Sequence, residues 1–379
     1  MTELKEKPNK RVKRRWKLCP MRHALSAAGL LCIAAYFLLR RSAPLMAFLS
    51  ARIVRPWHRL ASRALSALPF SAAEALIVVG VIAALVFIIF TIVQLIRKPE
   101  RKTRLYRFFM TCLTAFALIY GGFCLLWGVY YYTSDFEAQS GLHGEPVSTQ
   151  QLTSVTRYFT DLLCEYCDEV PRDAQGEFCA DLDGVFAASP ALYDAAAEKF
   201  PCLAGDAIAA KPFFFSRFMS YTNFTGFFFP FTGEANINVD CPPALIPSTI
   251  AHEIAHQRGI AQEDEANFAA VLSSLENGDP VWCYSACLLA YIHLGNALNK
   301  ADHDAWAENY TRLPQGALVD LAANNAYWAQ FETPVKAVSD TVYTGFLQSY
   351  GQSDGLKTYG KCVDLLVAYY YDIAQEAPK

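Results

Sequence analysis

Three long apolar runs in the first third of this 379-residue chain limit what it can fold into. They cover residues 24–39, 73–96 and 108–132. A helix needs about 20 mostly apolar residues to cross a bilayer, and the third run ends in aromatic residues (Trp127, Tyr130, Tyr131 and Tyr132) that favour the membrane–water interface. No small-x-small cleavage site follows the first run, which therefore predicts an uncleaved anchor rather than a signal peptide. We expect three transmembrane helices.

The charges divide the chain into two parts. Residues 1–133 hold 21 of the 33 Lys and Arg but 4 of the 36 Asp and Glu, a net charge of +17, whereas residues 134–379 carry −20. Basic residues interleaved with apolar runs are typical of a membrane module, not of a nucleic-acid binder. The sequence thus predicts a basic tail (residues 1–23), a membrane module (24–133) and a soluble module (134–379).

The basic residues also predict the orientation. The tail holds nine and the loop at residues 97–107 holds six, against six in the loop at residues 40–71. The positive-inside rule then places the N-terminus in the cytoplasm and residues 134–379 outside it. Within the first loop, apolar residues recur at helical spacing over residues 45–68, which predicts an amphipathic helix on the outer membrane face with its arginines toward lipid phosphates.

The chemistry-bearing motif of the soluble module is H-E-x-x-H at residues 252–256. On a helix, His252 and His256 share one face and can bind one metal ion. Zinc suits paired imidazoles, and Glu253 is placed to take a proton from a water molecule at the metal. Ser248 or Thr249 is the predicted N-cap, and Gly259 is the predicted stop.

A catalytic zinc needs a third protein ligand, and three candidates follow the motif: Gln262, Glu263 and Glu265. The acidic run at residues 263–265 reads as the first turn of a second helix. Glu263 and Asn267 would share a face there, so that the carboxylate binds the metal while the amide orients a ligand histidine. Glu265 points about 200° away from Glu263, and the amide of Gln262 is a poor zinc ligand. We select Glu263.

The segments F-P-F-T-G-E-A-N-I-N, H-E-I-A-H-Q-R-G-I-A and E-D-E-A-N-F, together with the Tyr/Gly-rich segment at residues 350–360, resemble the bacterial membrane-anchored domain of unknown function 3810 family. That family is classed with zincin-like peptidases, and E-x-x-A-N-x-A is similar to the third-ligand helix of gluzincins. The resemblance implies a zinc site with His252 and His256 as ligands, Glu253 as catalytic base and Glu263 as third ligand. It supplies no substrate.

The rest of the soluble module reads as mainly helical with a small sheet, giving an α+β, zincin-like domain after the membrane helices. Residues 226–239 are the best strand candidate, and by analogy with zincins residues 226–238 pair with an extended substrate; a buried hairpin is the alternative. Glu234 is expected to have a structural role, and His293 is a minor candidate for stabilising an oxyanion. The module's eight cysteines indicate disulfides or buried thiols, and no pairs are assigned.

The sequence therefore predicts a multi-pass protein of the bacterial cytoplasmic membrane with an extracytoplasmic zinc metallopeptidase domain. Its expected partners are the lipid bilayer and a peptide, protein or peptidoglycan-peptide substrate, with no nucleic acid. The alternative is a non-hydrolytic membrane sensor or assembly factor that retains a degenerate zincin domain. Cleavage within the bilayer is disfavoured because the H-E-x-x-H helix is not a long apolar span.

Overall fold

The computed structural model describes residues 19–144, 147–352 and 360–376, which form a mainly helical fold with one small sheet. The α-helices in these ranges are α1 (Pro20–Leu39), α2 (Ala43–Leu49), α3 (Arg55–Leu65), α4 (Ala72–Arg97), α5 (Arg101–Phe123), α6 (Phe136–Ser140), α7 (Thr149–Cys167), α8 (Leu182–Ala188), α9 (Asp194–Lys199), α10 (Ser216–Tyr221), α11 (Ile246–Gln257), α12 (Glu263–Asn277), α13 (Pro280–Ala301), α14 (His303–Thr311), α15 (Gln315–Ala329), α16 (Pro334–Ser349) and α17 (Gly360–Glu376). The strands are β1 (Lys211–Phe213), β2 (Gly226–Phe229) and β3 (Glu234–Asn238). The predicted fold class, mainly helical with a small sheet, is confirmed at this level.

Within the described ranges, four helical segments are long and apolar enough to cross a membrane: Pro20–Leu39, Ala72–Arg97, Arg101–Gly128 and Pro280–Ala301. The first two contain the predicted apolar runs at residues 24–39 and 73–96, and the third contains residues 108–128 of the run predicted to reach residue 132. The fourth is 72% buried inside the protein, so its apolar side chains serve the core. The predicted basic tail lies mostly at residues 1–18, outside the described residues, and its last residues belong to α1, which begins at Pro20 instead of Ala24.

The chain forms two compact units whose boundaries differ from the predicted division at residue 133. One contains the described residues up to Phe37 together with Val79–Gly122, and the other contains Leu38–Val78 and the described residues from Phe123 onward. The first loop and the ends of the apolar helices therefore belong to the large unit. By composition the first loop and these helix ends belong to the membrane module. Their contacts, however, are with residues of the soluble module.

In the smaller unit, α1 and α5 approach closely through small residues. A Cβ atom on Gly29 would lie 2.6 Å from the carbonyl oxygen of Ala117, so only glycine fits there. The hydroxyls of Ser26 and Thr114 also hydrogen-bond at 2.8 Å. Small residues and a buried hydroxyl pair are how apolar helices associate without a hydrophobic driving force in lipid.

The large unit is built around a helical core. Helix α7 packs on α13 and α17, and α12 lies between α11, α13 and α17. Fully buried aromatic residues fill these contacts, among them Phe159, Phe268 and Tyr284. The capping box of Ser148 and Gln151 starts α7.

The three strands lie in the order β1-β3-β2, with β1 parallel and β2 antiparallel to β3. β3 is central and completely buried, whereas β2 lies at an edge. The segment at residues 226–238 is thus a hairpin of an edge strand and a central strand.

The first turn of α4 is bonded into this sheet. The buried Glu234 carboxylate accepts the N–H groups of Ala72 (3.1 Å) and Ala73 (2.8 Å) and pairs with the ammonium of Lys211 at 2.8 Å. Lys211 also donates to the carbonyls of Leu65 and Phe70. Glu234 therefore has the structural role expected of it, since it satisfies N–H groups that a helix start otherwise leaves unpaired.

The predicted amphipathic segment at residues 45–68 is helical as far as Leu65, but the stripe that faces the protein is not the predicted apolar one. Met46, Ser50, Val54, His58 and Ser62, spaced four apart, are buried. The predicted apolar stripe lies outside, with Ile53, Trp57 and Leu60 exposed. Arg59 and Arg63 both pair with the carboxylate of Asp206, at 3.1 and 2.9 Å.

All twelve cysteines fall within the described residues and carry free thiols. Of the two alternatives for the soluble module, disulfides or thiols, the structure shows thiols. Cys241, Cys283, Cys287 and Cys362 are buried, where burial raises the thiol pKa and keeps each group neutral.

Candidate metal centre

Helix α11 carries the H-E-x-x-H motif. It begins at Ile246, directly after a 3₁₀ turn at Pro243–Leu245, so the predicted N-cap at Ser248 or Thr249 is wrong. Both hydroxyls instead donate back to the carbonyl of Leu245, at 3.0 and 2.9 Å. The predicted stop is confirmed, since α11 ends at Gln257 and Gly259 follows with φ of +93°, a conformation that favours glycine.

The two motif histidines lie side by side with fixed ring orientations. Their ring centroids are 4.6 Å apart. His252 Nδ1 hydrogen-bonds to Asn267 Oδ1 at 2.8 Å, and His256 Nδ1 hydrogen-bonds to the carbonyl of Ile260 at 2.7 Å. Because both partners are acceptors, each Nδ1 is the protonated nitrogen, which leaves Nε2 as the atom of each ring that could bind a metal ion.

The Glu263 carboxylate completes a three-residue cluster. Its Oε2 atom lies 3.2 Å from His252 Nε2 and 3.6 Å from His256 Nε2. The hydroxyl of Tyr343 donates to the other oxygen at 2.7 Å. One ligand atom from each of His252, His256 and Glu263 lies within 4.8 Å of the others, which makes this cluster a candidate metal site.

The charges of the cluster favour a bound cation. Burial alone would raise the pKa of the Glu263 carboxyl, but the two imidazoles lower it well below its ordinary value. Burial would likewise lower the pKa of His256, but the Glu263 and Glu253 carboxylates outweigh burial and raise it to about 9. The two carboxylates thus favour a positive charge at this point, and a proton or a metal cation can supply it.

The other two predicted third ligands lie elsewhere. Glu265 accepts the N–H of Phe136 at 2.9 Å and pairs with the ammonium of Lys361 at 3.0 Å. Gln262 is the N-cap residue of α12, makes no side-chain capping bond, and lines a small pocket with Glu265 and Arg258. Of the three, the structure brings only Glu263 to the histidines.

Glu253 lies against the edge strand β2. A Cβ atom on Gly226 would come within 2.7 Å of the Glu253 side chain, so the lack of a side chain at Gly226 makes room for this carboxylate. Its Oε2 atom is buried and has no hydrogen-bond partner. Burial raises the pKa of Glu253, and the two imidazoles and the backbone of Phe228 oppose that rise only in part. A buried carboxylate with a free oxygen is suited to accept a proton.

A cleft of about 1430 Å³ opens onto the cluster. His252, Glu253, His256 and Glu263 all contribute to its wall, as does Asn267. Other lining residues come from the end of the third apolar helix and from α13 and α16: Phe123, Trp127, Tyr131, His293, Asn296 and Tyr343. His293, the minor oxyanion candidate, therefore lies in the same cleft.

Two residues at this centre were not expected from the sequence. Tyr343 lies on α16, 80 residues from the carboxylate to which it donates. Trp127 packs edge-on against His256, with ring centroids 5.4 Å apart at 88°. The sequence places Trp127 at the end of an apolar run and Tyr343 in the mainly helical soluble module, and neither pattern indicates a contact with the motif.

The sequence model of a family described as "Protein of unknown function (DUF3810)" matches residues 50–367. That range covers most of the chain, including every residue of the candidate centre, so the chain belongs to this family. No curated protein and no solved structure matches the chain.

Proposed function

We propose that this protein is a membrane-anchored zinc metallopeptidase of the gluzincin type, with His252, His256 and Glu263 as zinc ligands. The observation that carries the proposal is the convergence of two imidazole Nε2 atoms and one carboxylate oxygen within 4.8 Å, with both Nδ1 atoms engaged by acceptors. This donor set fits zinc, which binds imidazole and carboxylate and in catalytic sites has three protein ligands. The hydrogen bonds of Asn267 and Tyr343 hold two of the ligands in place.

When bound, zinc supplies an acidic water molecule and an electrophile for a carbonyl group. The protein's own contribution is a proton acceptor: Glu253 Oε2 takes a proton from that water and returns it to the leaving amine. The raised pKa of Glu253 suits this exchange, because a base is most effective when its pKa approaches the working pH.

The edge strand β2 is the proposed substrate-binding element. The N–H of Asn238 donates to the carbonyl of Thr225 at 2.8 Å, which marks this pair as hydrogen-bonded across the ladder. Backbone groups alternate in direction along an antiparallel strand, so Gly226 and Phe228 direct theirs away from β3. These are the residues beside Glu253, whose carboxylate is hydrogen-bonded to the backbone of Phe228, and a substrate strand paired to the remaining outward groups would lie across the centre.

We further propose that the centre faces the extracytoplasmic side of the cytoplasmic membrane, on the distribution of basic residues. The proposed substrate is a peptide, protein or peptidoglycan-linked peptide. The alternative, a non-hydrolytic sensor or assembly factor, is expected to have a blocked site, since it needs no substrate access. The cleft that reaches His252 and Glu253 supports the hydrolase.

Replacement of the proton acceptor tests the hydrolase directly. In the full-length protein with mixed-sequence peptides, Glu253→Gln should lower turnover about 10²- to 10⁴-fold while zinc stays bound, because the amide cannot take a proton. Glu308→Gln, at an exposed glutamate on α14, is the matched control and should leave turnover unchanged. Equal turnover in Glu253→Gln and the wild type would refute this assignment.

A further inference from the structure

Three phenylalanines between β1 and the end of α10 are exposed to an unusual degree. Phe214, Phe215 and Phe218, here called the phenylalanine foot, are 84%, 41% and 69% exposed. The only charged residue from Pro212 to Tyr221 is Arg217, and Asp240 pairs with it at 3.0 Å. A contiguous apolar surface of this kind marks a contact with a partner or a membrane.

The hydrogen bonds of the foot indicate that its partner is the membrane. The Glu74 carboxylate accepts the backbone N–H groups of Phe214 at 3.0 Å and Phe215 at 2.8 Å. Glu74 lies in the first turn of α4, the most hydropathic of the apolar helices, and no charged residue follows it until Arg97. The foot is thus bonded to the point where the chain enters the membrane, which is the level at which aromatic side chains accumulate in the interface.

The link between the foot and the centre runs through the sheet. Glu234 of β3 binds the N–H groups of Ala72 and Ala73, in the same first turn of α4 as Glu74, which anchors the foot. β3 pairs with β2, whose Gly226 contacts Glu253. Because these groups are buried and hydrogen-bonded, the edge strand of the cleft is held at a fixed distance from the start of the membrane helix.

A separate contact places the centre near the membrane surface. Trp127, which packs on His256, lies in the last turn of the apolar segment Arg101–Gly128. The wall of the cleft also includes Phe123 from the same segment. The ligand histidine therefore lies one aromatic ring away from the end of a membrane-spanning run.

We propose that the phenylalanine foot inserts into the outer surface of the bilayer and holds the cleft there, so that the substrate is a polypeptide attached to the same membrane and cut close to its attachment. The lipid contact of the foot stands independently, whereas the substrate class rests on the proposed peptidase function. A soluble peptide can diffuse to the centre but is not concentrated at the membrane surface, so it should be cut more slowly than a chain attached there.

Photo-crosslinking tests the lipid contact. Full-length protein carrying p-benzoylphenylalanine at position 214 or 218 is reconstituted in phosphatidylcholine liposomes that contain an alkyne-labelled phosphatidylcholine. Irradiation should give lipid adducts at both positions, at least tenfold above those at position 310, where Tyr310 on α14 is also exposed. Adducts at positions 214 and 218 no more abundant than at 310 would overturn the lipid contact.

A spacer test addresses the substrate class in the same liposomes. One set of peptides carries a mixed-sequence decapeptide directly after a palmitoylated lysine, and the matched set has 20 prolines between them, a semi-rigid spacer of about 60 Å. The adjacent decapeptide should be cut at least tenfold faster than the spaced one. Equal rates, or faster cutting of the spaced set, would overturn the substrate class while leaving the peptidase intact. Cleavage of neither set by a zinc-loaded protein would remove the peptidase and the substrate class together.

Discussion

Glu263 and Glu265 are two residues apart in the first turn of α12, yet they lie in opposite kinds of environment. Glu263 faces two imidazoles whose Nε2 atoms are 3.2 and 3.6 Å away. Glu265 faces a lysine, since the ammonium of Lys361 lies 3.0 Å from it, 2.7 Å from Glu137 and 3.6 Å from Asp135. Asp135, Glu137 and Glu265 also meet the spacing of a metal site, but a cation of the protein already lies among them.

The difference shows what distinguishes a candidate metal site from an acidic cluster. Both clusters concentrate carboxylates or imidazoles within a few ångströms, but among the described residues Glu263 pairs with two imidazoles, whereas Glu265 pairs with a lysine. Lys361 stabilises its three carboxylates by ion pairing, so a divalent cation would have to displace it. Asp264, between the two glutamates, differs again: it is buried, and its Oδ1 atom has no partner.

The largest expected change in zinc affinity distinguishes Glu263 from Glu265. Glu263→Gln should weaken zinc binding by more than about 100-fold, because residues that merely orient ligands already contribute about 10- to 100-fold. Glu265→Gln, the matched change on the same helix, should leave zinc affinity unchanged. Competition with a chromophoric zinc chelator measures both. Equal losses of zinc affinity in the two variants would contradict the assignment of Glu263, and not Glu265, as the third ligand.

The buried Asp264 between them predicts that removing its ionisation stabilises the fold in a pH-dependent way. Burial raises the pKa of Asp264 to about 7 from an ordinary value of 3.8. The folded state therefore favours the protonated form, and its stability falls as the pH rises from about 4 to 7.

Asp264→Asn cannot ionise and should escape this loss. Its advantage over the wild type should be absent below about pH 4 and grow by about 2–3 kcal/mol between pH 5 and pH 8, at 1.36 kcal/mol per pKa unit. Thermal unfolding of the chelator-treated wild type and variant at the two pH values measures this difference in stability. Asp304→Asn, at an exposed first-turn aspartate of α14, should show no such trend. A gain independent of pH would rule out the ionisation account.

Asn267, whose amide hydrogen-bonds to His252, should contribute less to zinc affinity than Glu263 does. Asn267→Ala removes the acceptor of the His252 Nδ1 proton, so the imidazole can rotate and change tautomer. We expect a 10- to 100-fold loss of zinc affinity. Gln262→Ala is the comparison at the position that the structure keeps away from the histidines. If Gln262→Ala weakens zinc binding more than Asn267→Ala does, the third ligand is misassigned.

The smallest loss of zinc affinity is expected for a change at Tyr343. Tyr343→Phe keeps the ring and removes the hydroxyl that donates to Glu263, so zinc affinity should fall about tenfold, the low end of the range for groups that orient ligands. Tyr310→Phe, at an exposed tyrosine, serves as the control. Unchanged affinity in Tyr343→Phe would show that the ligand carboxylate is held without it.

Local patterns in the sequence account for the helices and for part of the site. The 3.6-residue spacing indicates that His252 and His256 share a face and that Glu263 and Glu265 do not, and the structure places these side chains accordingly. Gly259 ends α11 as predicted because the left-handed conformation there favours glycine. Such features depend on neighbours within one or two turns.

The remaining features of the fold and of the candidate site depend on contacts between distant segments, which no local pattern encodes. Lys361 lies 96 residues from Glu265, and nothing in its surroundings indicates that it neutralises a buried acidic cluster. Composition likewise assigns residues 38–78 to the membrane module, whereas Glu234 and Lys211 bind the start of α4 into the sheet. A fragment that begins at residue 134 would remove the backbone groups that Glu234 and Lys211 bind at the start of α4 and before it, so experiments on the centre need the full chain.

The most direct test of the account is the metal content of the full-length protein, purified in detergent and measured by elemental analysis beside His252→Ala. We predict about one zinc ion per chain in the wild type, because the cluster offers a single set of three ligands, and its loss in the variant. A folded wild-type protein that binds no zinc when zinc is supplied, or a His252→Ala variant that retains it in full, would contradict the central claim.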